Sequence, residues 1–298
     1  MLNRNWRHYN KQLIQRGSLT FLIDPKTLKS ICAKSSKNGP GRPQEYSNSL
    51  IQALLVIKTH FRLAYRALEG FAKSILPRFL SKINIPTYSL ICKRVAKLGK
   101  SLPKLNDRKP STIIVDSTGM KVIGEGEWKV KIHGRGRPRK WVKVHIAIDP
   151  TTQEIVAETT TESSVGDSTA LNLLLEKTPA TVKTVLADGA YDGRKPRKAI
   201  REKGAVPLVP PPRNARYRGS GDERDDAILI LLGLGNDRLA RSLWGKLTGY
   251  NRRVLVETAF SSMKRMFGDR FYSKTTERQC VENTIRCLLL NKMRRLAE

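Results

Sequence analysis

The chain has 298 residues, 39% of them hydrophobic, which suits two units or one elaborated one and argues against global disorder. Its 56 lysines and arginines against 26 aspartates and glutamates give a net charge of +30, an excess that opposes compaction and points to a polyanionic partner. No apolar run approaches the roughly 18–20 residues of a spanning helix, and Met1–His8 lacks a signal-peptide core, so nucleic acid is expected rather than a membrane. Cys32, Cys92, Cys280 and Cys287 form no Cys-x-x-Cys pair, and His8, His60, His133 and His145 are equally scattered. That spacing disfavours both zinc and a disulfide framework, and it fits reduced thiols in a cytoplasmic, nucleoid-associated protein.

Residues 1–110 carry 22 basic and 4 acidic side chains, the most basic part of the chain. After the turn-like Gly39-Pro40-Gly41-Arg42-Pro43, a helix opens at Ser49–Lys58. A second is expected from Ala64 to Leu76, stopping at Pro77. A third follows Pro86, capped by Thr87 or Ser89 and carrying Lys93, Arg94 and Lys97. Three short helices with a basic last member resemble a helix-turn-helix unit, with Lys93 and Arg94 placed for DNA. A helical bundle with a solvated basic face is the alternative reading.

From Pro110 the texture changes. Ser111–Asp116 is a β-branched run ending in a carboxylate, Trp141–Asp149 alternates as a second strand, and Glu154–Thr160 makes a third. A helix over Ser168–Glu176, a strand over Val182–Ala187, a helix over Pro196–Lys203 and a short strand over Ala205–Val209 complete the pattern. Meandering strands followed by alternating helix and strand indicate an α/β sheet of mixed strand direction. Residues 213–224 read as a loop leading to further helices, and Thr276–Leu296 closes the chain. The expected division is a helical region over residues 1–109 and an α/β region over 110–298.

Three acidic positions carry the candidate chemistry. Asp116 follows Ile113-Ile114-Val115, and Asp188 follows Val185-Leu186-Ala187. A carboxylate against an apolar strand is costly unless it is paired, hydrogen-bonded or metal-bound. If the two strands are neighbours, both acids emerge at one edge. The third position, Glu257, lies in Tyr250–Lys264, read as one helix. At helical pitch Tyr250, Arg253, Glu257 and Lys264 fall within about 60° of one another. Leu255, Val256, Ala259, Phe260, Met263, Met266 and Phe267 supply an apolar face behind them. Oxygen-only ligands favour Mg²⁺ or Mn²⁺, the ions of phosphodiester chemistry. Asp149, Asp167, Asp192 and Glu162 are set aside as ligands: Asp149 and Asp167 serve as turn or cap residues, and Asp192, four positions beyond Asp188, is a candidate to support that residue from behind.

These residues resemble the DDE transposases of bacterial insertion sequences, within the insertion-sequence-five superfamily. Tyr250, Arg253, Glu257 and Lys264 match the Tyr-(2)-Arg-(3)-Glu-(6)-Lys signature at every position. Asp116-Ser117-Thr118-Gly119 and Ala187-Asp188-Gly189-Ala190-Tyr191-Asp192 resemble the blocks of the first and second catalytic aspartates. Gly124–Trp128, Val165-Gly166-Asp167, Gly41-Arg42-Pro43 and Tyr46-Ser47 resemble further blocks, so the likeness covers most of the chain. It implies an RNase H-like mixed sheet flanked by helices, with a helical DNA-binding region ahead of it. It also implies strand cleavage and strand transfer by a metal-binding triad of Asp116, Asp188 and Glu257, with Tyr250, Arg253 and Lys264 positioning the DNA end and Arg253 shared with a carboxylate that it helps to hold. The expected partner is double-stranded DNA, both terminal inverted repeats and target, handled by a homodimer or larger synaptic complex.

Between the first two predicted strands runs Lys131–Lys140, in which Arg135-Gly136-Arg137-Pro138 resembles an AT-hook core and Arg139 and Lys140 extend the charge. DNA contact is expected of it, with nonspecific phosphate attraction preferred over sequence readout. Two other classes fit the composition: an RNase H-like nuclease acting on branched DNA, and a non-catalytic nucleic-acid-binding protein.

Overall fold

The alternation of side chains along one strand decides where everything else packs. In the structure, a computed structural model that describes residues 5–23, 45–79, 83–122 and 141–296, β1 spans Thr112–Val122. It pairs antiparallel with β2 (Trp141–Ile148), which pairs antiparallel with β3 (Ile155–Glu162). On its other side β1 lies parallel to β4 (Thr184–Leu186), and β4 lies parallel to β5 (Val206–Leu208). The order is β3-β2-β1-β4-β5, with β6 (Arg270–Phe271) pairing the far end of β1. An antiparallel meander continued by two parallel strands is the RNase H-like arrangement. The parallel steps need crossovers, and helices supply them.

Ile113 and Val115 point to one side of β1. There they join Val185, Leu171, Leu174 and Ile200 in a buried core under the two crossover helices, Asp167–Glu176 and Arg194–Glu202. Each such aliphatic side chain contributes roughly 1.5–3 kcal/mol on burial. Asp116 and Thr118, of opposite parity, point to the other side. The strand does not end at Asp116 as expected. Its ladder with β2 runs unbroken from Ile114↔Ile148 to Lys121↔Trp141, so the polar stretch Asp116–Gly119 is held mid-strand.

The chain forms two compact units, one made of Met1–Lys104 with Ser273–Glu298, the other of Leu105–Tyr272. The closing helix, Thr276–Arg295, thus groups with the N-terminal helices and not with the sheet. In that first unit, Ser47 caps the helix Asn48–His60 by accepting from the Leu50 N–H at 3.1 Å. The next helix, Tyr65–Phe79, does not stop at Pro77 but carries it within its last turn, where few backbone bonds remain to be lost. The third, Tyr88–Val95, starts after Thr87 as expected. Leu54, Leu68, Ile91, Val281 and Ile285 are buried within this unit. Among the described residues no helix is long and apolar enough to cross a membrane.

One buried histidine makes the sheet pH-sensitive. His145 on β2 is hydrogen-bonded to Thr161 at 3.1 Å, and burial pushes its pKa down to about 4, with Asp167 opposing and Lys143 assisting. The unfolded chain, with an ordinary imidazole near 6.5, binds more protons between the two values. Stability is therefore full above about pH 6.5 and falls by up to about 3 kcal/mol as pH drops towards 4. Thermal melts across that window should show a slope that flattens in a His145→Gln variant.

Candidate active site

The parallel register brings the first two acids together. Ile113 lies opposite Val185 and Ile114 opposite Leu186, so Asp116 and Asp188 each sit two residues beyond the last pair. Asp188 caps the 3-10 turn Gly189–Tyr191, its carboxylate accepting from the Ala190 N–H at 3.0 Å. Asp116 accepts from the Ser117 N–H at 2.7 Å. Burial raises the Asp116 pKa, the Ser117 hydrogen bond opposes this, and Asp188 and Glu257 raise it further while Arg253 lowers it. One carboxyl therefore senses both of the other acids.

The third acid arrives on α-helix Val254–Phe267, preceded by a 3-10 turn over Tyr250–Arg253. The single-helix expectation is corrected here, because Tyr250 and Arg253 lie on the tighter turn and only Glu257 and Lys264 on the α-helix. The turn is set by Gly249, whose φ of 72° suits a residue without Cβ. Replacing Gly249 by Ala should cost about 1–2 kcal/mol by urea titration. Val256, Ala259, Phe260, Met263 and Phe267 are buried, which fixes the opposite face at the site. Arg253 donates to Asp116 Oδ2 at 3.3 Å and also to Glu257 Oε1, tying strand to helix. Lys264 donates to Thr118 Oγ1 at 2.7 Å. The Tyr250 hydroxyl belongs to the same cluster. Burial pushes its pKa up to about 12, Arg253 opposes, and Asp188, Asp116 and Glu257 add to the rise. Its ring packs on Trp244 with centroids 5.3 Å apart.

The result is a polar floor of three carboxylates, two cations and a phenol over the middle of β1. Among the described residues, no group of three or more His, Cys, Asp or Glu is arranged as a ready metal cage. Arg253 spans two of the acids instead. In donor chemistry the cluster suits a hard divalent ion: all the ligand atoms are oxygens, and one guanidinium leaves the three carboxylates negative in sum.

The other singled-out residues fall in several places. Lys93 is exposed, while Arg94 donates to the Tyr46 carbonyl and to Asn48 within its own unit. Arg135, Arg137, Arg139 and Lys140 lie outside the described residues. Asp149 holds its turn by accepting from the Thr151 N–H at 2.8 Å. Asp167 opens its helix and pairs with Lys143 at 3.0 Å, and Glu162 ends β3 exposed. Sequence reasoning missed a buried ionic clamp beside the site. Asp192 accepts from Arg197 at 2.8 Å and from Arg224 at 3.1 Å, and all three side chains are at least nine-tenths buried. Arg197 also reaches Glu223 at 3.1 Å and the Val209 carbonyl at 2.9 Å. Arg197 stands five residues from Asp192, but Arg224 stands 32 away, beyond any spacing rule.

Comparison with known proteins places this geometry in context. Residues 107–292 match a family described as "Transposase DDE domain", and residues 14–125 match a second family of the same description. An uncharacterized protein of Aquifex aeolicus (strain VF5) is 25% identical over 285 residues, 88% of this chain and 80% of that protein. Among solved structures, a piggyBac transposase synaptic complex with hairpin DNA aligns over 94% of this chain and 73% of its own, at 10% identity and a TM-score of 0.42.

Proposed function

The chain belongs to the DDE transposases, enzymes that cut and rejoin DNA in a metal-dependent reaction, and from that membership we propose that Asp116, Asp188 and Glu257 are its catalytic acids. The observation that supports the assignment is a chain of pairwise links among the three acids. The register sets Asp116 beside Asp188, and Arg253 joins Asp116 to Glu257. Bound by these carboxylates, Mg²⁺ or Mn²⁺ would supply charge neutralisation at the phosphodiester and a more acidic attacking water or 3′-hydroxyl.

The chain's own groups do the rest. Arg253 holds Glu257 over Asp116, and Lys264, beside Thr118, offers an ammonium to a phosphate of the DNA end. Tyr250, kept protonated, remains a hydrogen-bond donor at neutral pH. Arg135, Arg137, Arg139, Lys140, Lys93 and Arg94 add positive charge for the flanking duplex, which makes binding strongly salt-dependent. The substrates are the terminal inverted repeats of an insertion sequence of the insertion-sequence-five type and its target DNA. A homodimer brings the two ends together.

The test is a substrate panel. Duplexes from the DNA bordering the gene, unrelated duplexes and four-way junctions are incubated with Mg²⁺, with Mn²⁺ and with chelator. Metal-dependent nicks at the borders are expected. Preferential cutting of junctions would replace this reading with a branched-DNA nuclease, and no cutting of any substrate would leave a binding protein.

A further inference from the structure

The helical hairpin between Asp188 and Glu257 exposes an apolar face that the chemistry of the site does not use. Its first helix spans Glu223–Gly233 and its second Arg238–Leu247. Ala227, Leu231 and Trp244 pack the two together. The outward positions are also apolar. Leu239, Leu243 and Leu247 repeat every four residues, one stripe along the second helix, and the outermost two are 75% and 73% exposed. Leu229, Ile230 and Leu232 on the first helix are exposed as well. Single exposed leucines need no explanation, but six large ones on one short hairpin mark a surface made to be covered.

We infer that this face is where two copies of the chain meet, an inference that rests on the homodimer reading above. Charge selects the occupant. Residues 222–237 carry five acids and one base, and residues 238–247 carry three bases and no acid. The hairpin is therefore near neutral in a chain of net charge +30, and two such chains meet there with the least repulsion. An acidic helix beside a basic one is also self-complementary under a two-fold axis, with exposed Asp226 on one helix and exposed Arg238 and Lys246 on the other. DNA lacks an apolar counterpart for the leucines. Trp244, which packs the hairpin, also carries the Tyr250 ring, so an interface on this face would brace the site it adjoins.

Sedimentation velocity of the full chain at about 10 μM, in about 0.5 M salt to screen charge repulsion between copies, tests the inference. The wild type should sediment as a dimer. The triple variant Leu239→Glu/Leu243→Glu/Leu247→Glu should be a monomer, its dissociation constant weakened roughly a hundredfold or more. Its far-ultraviolet circular dichroism should match the wild type, because the replaced side chains are exposed in the single chain, whereas its melting temperature should fall only by the stabilisation that association supplies. Leu229→Glu/Ile230→Glu repeats the test from the other helix should the triple variant misfold. A dimer that survives both variants overturns this inference and leaves the homodimer reading standing. A wild type that stays monomeric, with or without duplex DNA, overturns both. Co-sedimentation of the monomer with anionic vesicles, lost in the variants, would assign the face to lipid and also overturn the inference.

Discussion

Asp116→Asn and Asp188→Asn should each lower metal-dependent strand cleavage by roughly a thousandfold or more, while duplex DNA binding persists. The amide keeps the shape of the carboxyl but removes the charge that would bind a divalent ion. Glu257→Gln should behave in the same way; it and Asp116→Asn each also lose an ion pair with Arg253. Stability provides an internal control. Burial raises the Asp116 pKa, and Asp188 and Glu257 raise it further, so the charged form is a strained one there. The neutral Asp116→Asn variant should melt no lower than the wild type, which separates lost chemistry from lost folding. Nicking assays, gel shifts and thermal melts on the same preparations measure all three. Undiminished cleavage by either aspartate variant would remove that residue from the site.

Those acids were legible because the physics that places them is local. A run such as Ile113-Ile114-Val115 or Val185-Leu186-Ala187 has to be buried, and a carboxylate placed just beyond it is conspicuous. The sheet, its meander and its crossover helices followed from the same alternation and helical periodicity. The failures share a cause as well. β1 continues past Asp116 because β2 supplies ladder partners as far as Trp141, a non-local fact that the polar composition of Asp116–Gly119 conceals. Tyr250 and Arg253 have helical spacing, yet Gly249 sets a tighter 3-10 turn there. The side-chain positions survived that change because the turn feeds directly into the helix. The sequence leaves Arg253 shared between DNA and a carboxylate, but which acids it bridges, Asp116 and Glu257, depends on a strand 137 residues away in sequence. The exposed leucines of Arg238–Leu247 were invisible for a different reason. At helical spacing a stripe that packs a core and a stripe that faces outward have the same pattern, and only burial distinguishes them.

The buried clamp around Asp192 leads to the largest expected stability loss. Arg197 and Arg224 are both desolvated, and both direct guanidinium hydrogens at Asp192. Removing that carboxylate in Asp192→Ala leaves Arg224 with only the Arg216 carbonyl at 3.4 Å among its side-chain hydrogen bonds, whereas Arg197 keeps Glu223 and the Val209 carbonyl. Stripping one partner from a buried pair costs about 3–5 kcal/mol, and the contacts left to Arg197 favour the lower end. For a unit of this size, about 3 kcal/mol corresponds to a melting temperature lower by roughly 6–12 °C. Asp192→Asn should fall between, since the amide oxygen still accepts but no longer balances charge. The loss should reach the site as well. Asp192 directly follows the 3-10 turn capped by Asp188, and its N–H donates to the Gly189 carbonyl at 3.1 Å. Loosening the clamp therefore loosens the loop that presents Asp188. Cleavage by Asp192→Asn, measured well below its melting temperature, should fall about tenfold, while Lys198→Ala, an exposed change on the neighbouring helix, leaves both quantities unchanged. A melting temperature within about 2 °C of wild type for Asp192→Ala would mean that solvent or neighbouring carbonyls satisfy the two arginines, and the clamp would then have no part in holding the catalytic loop.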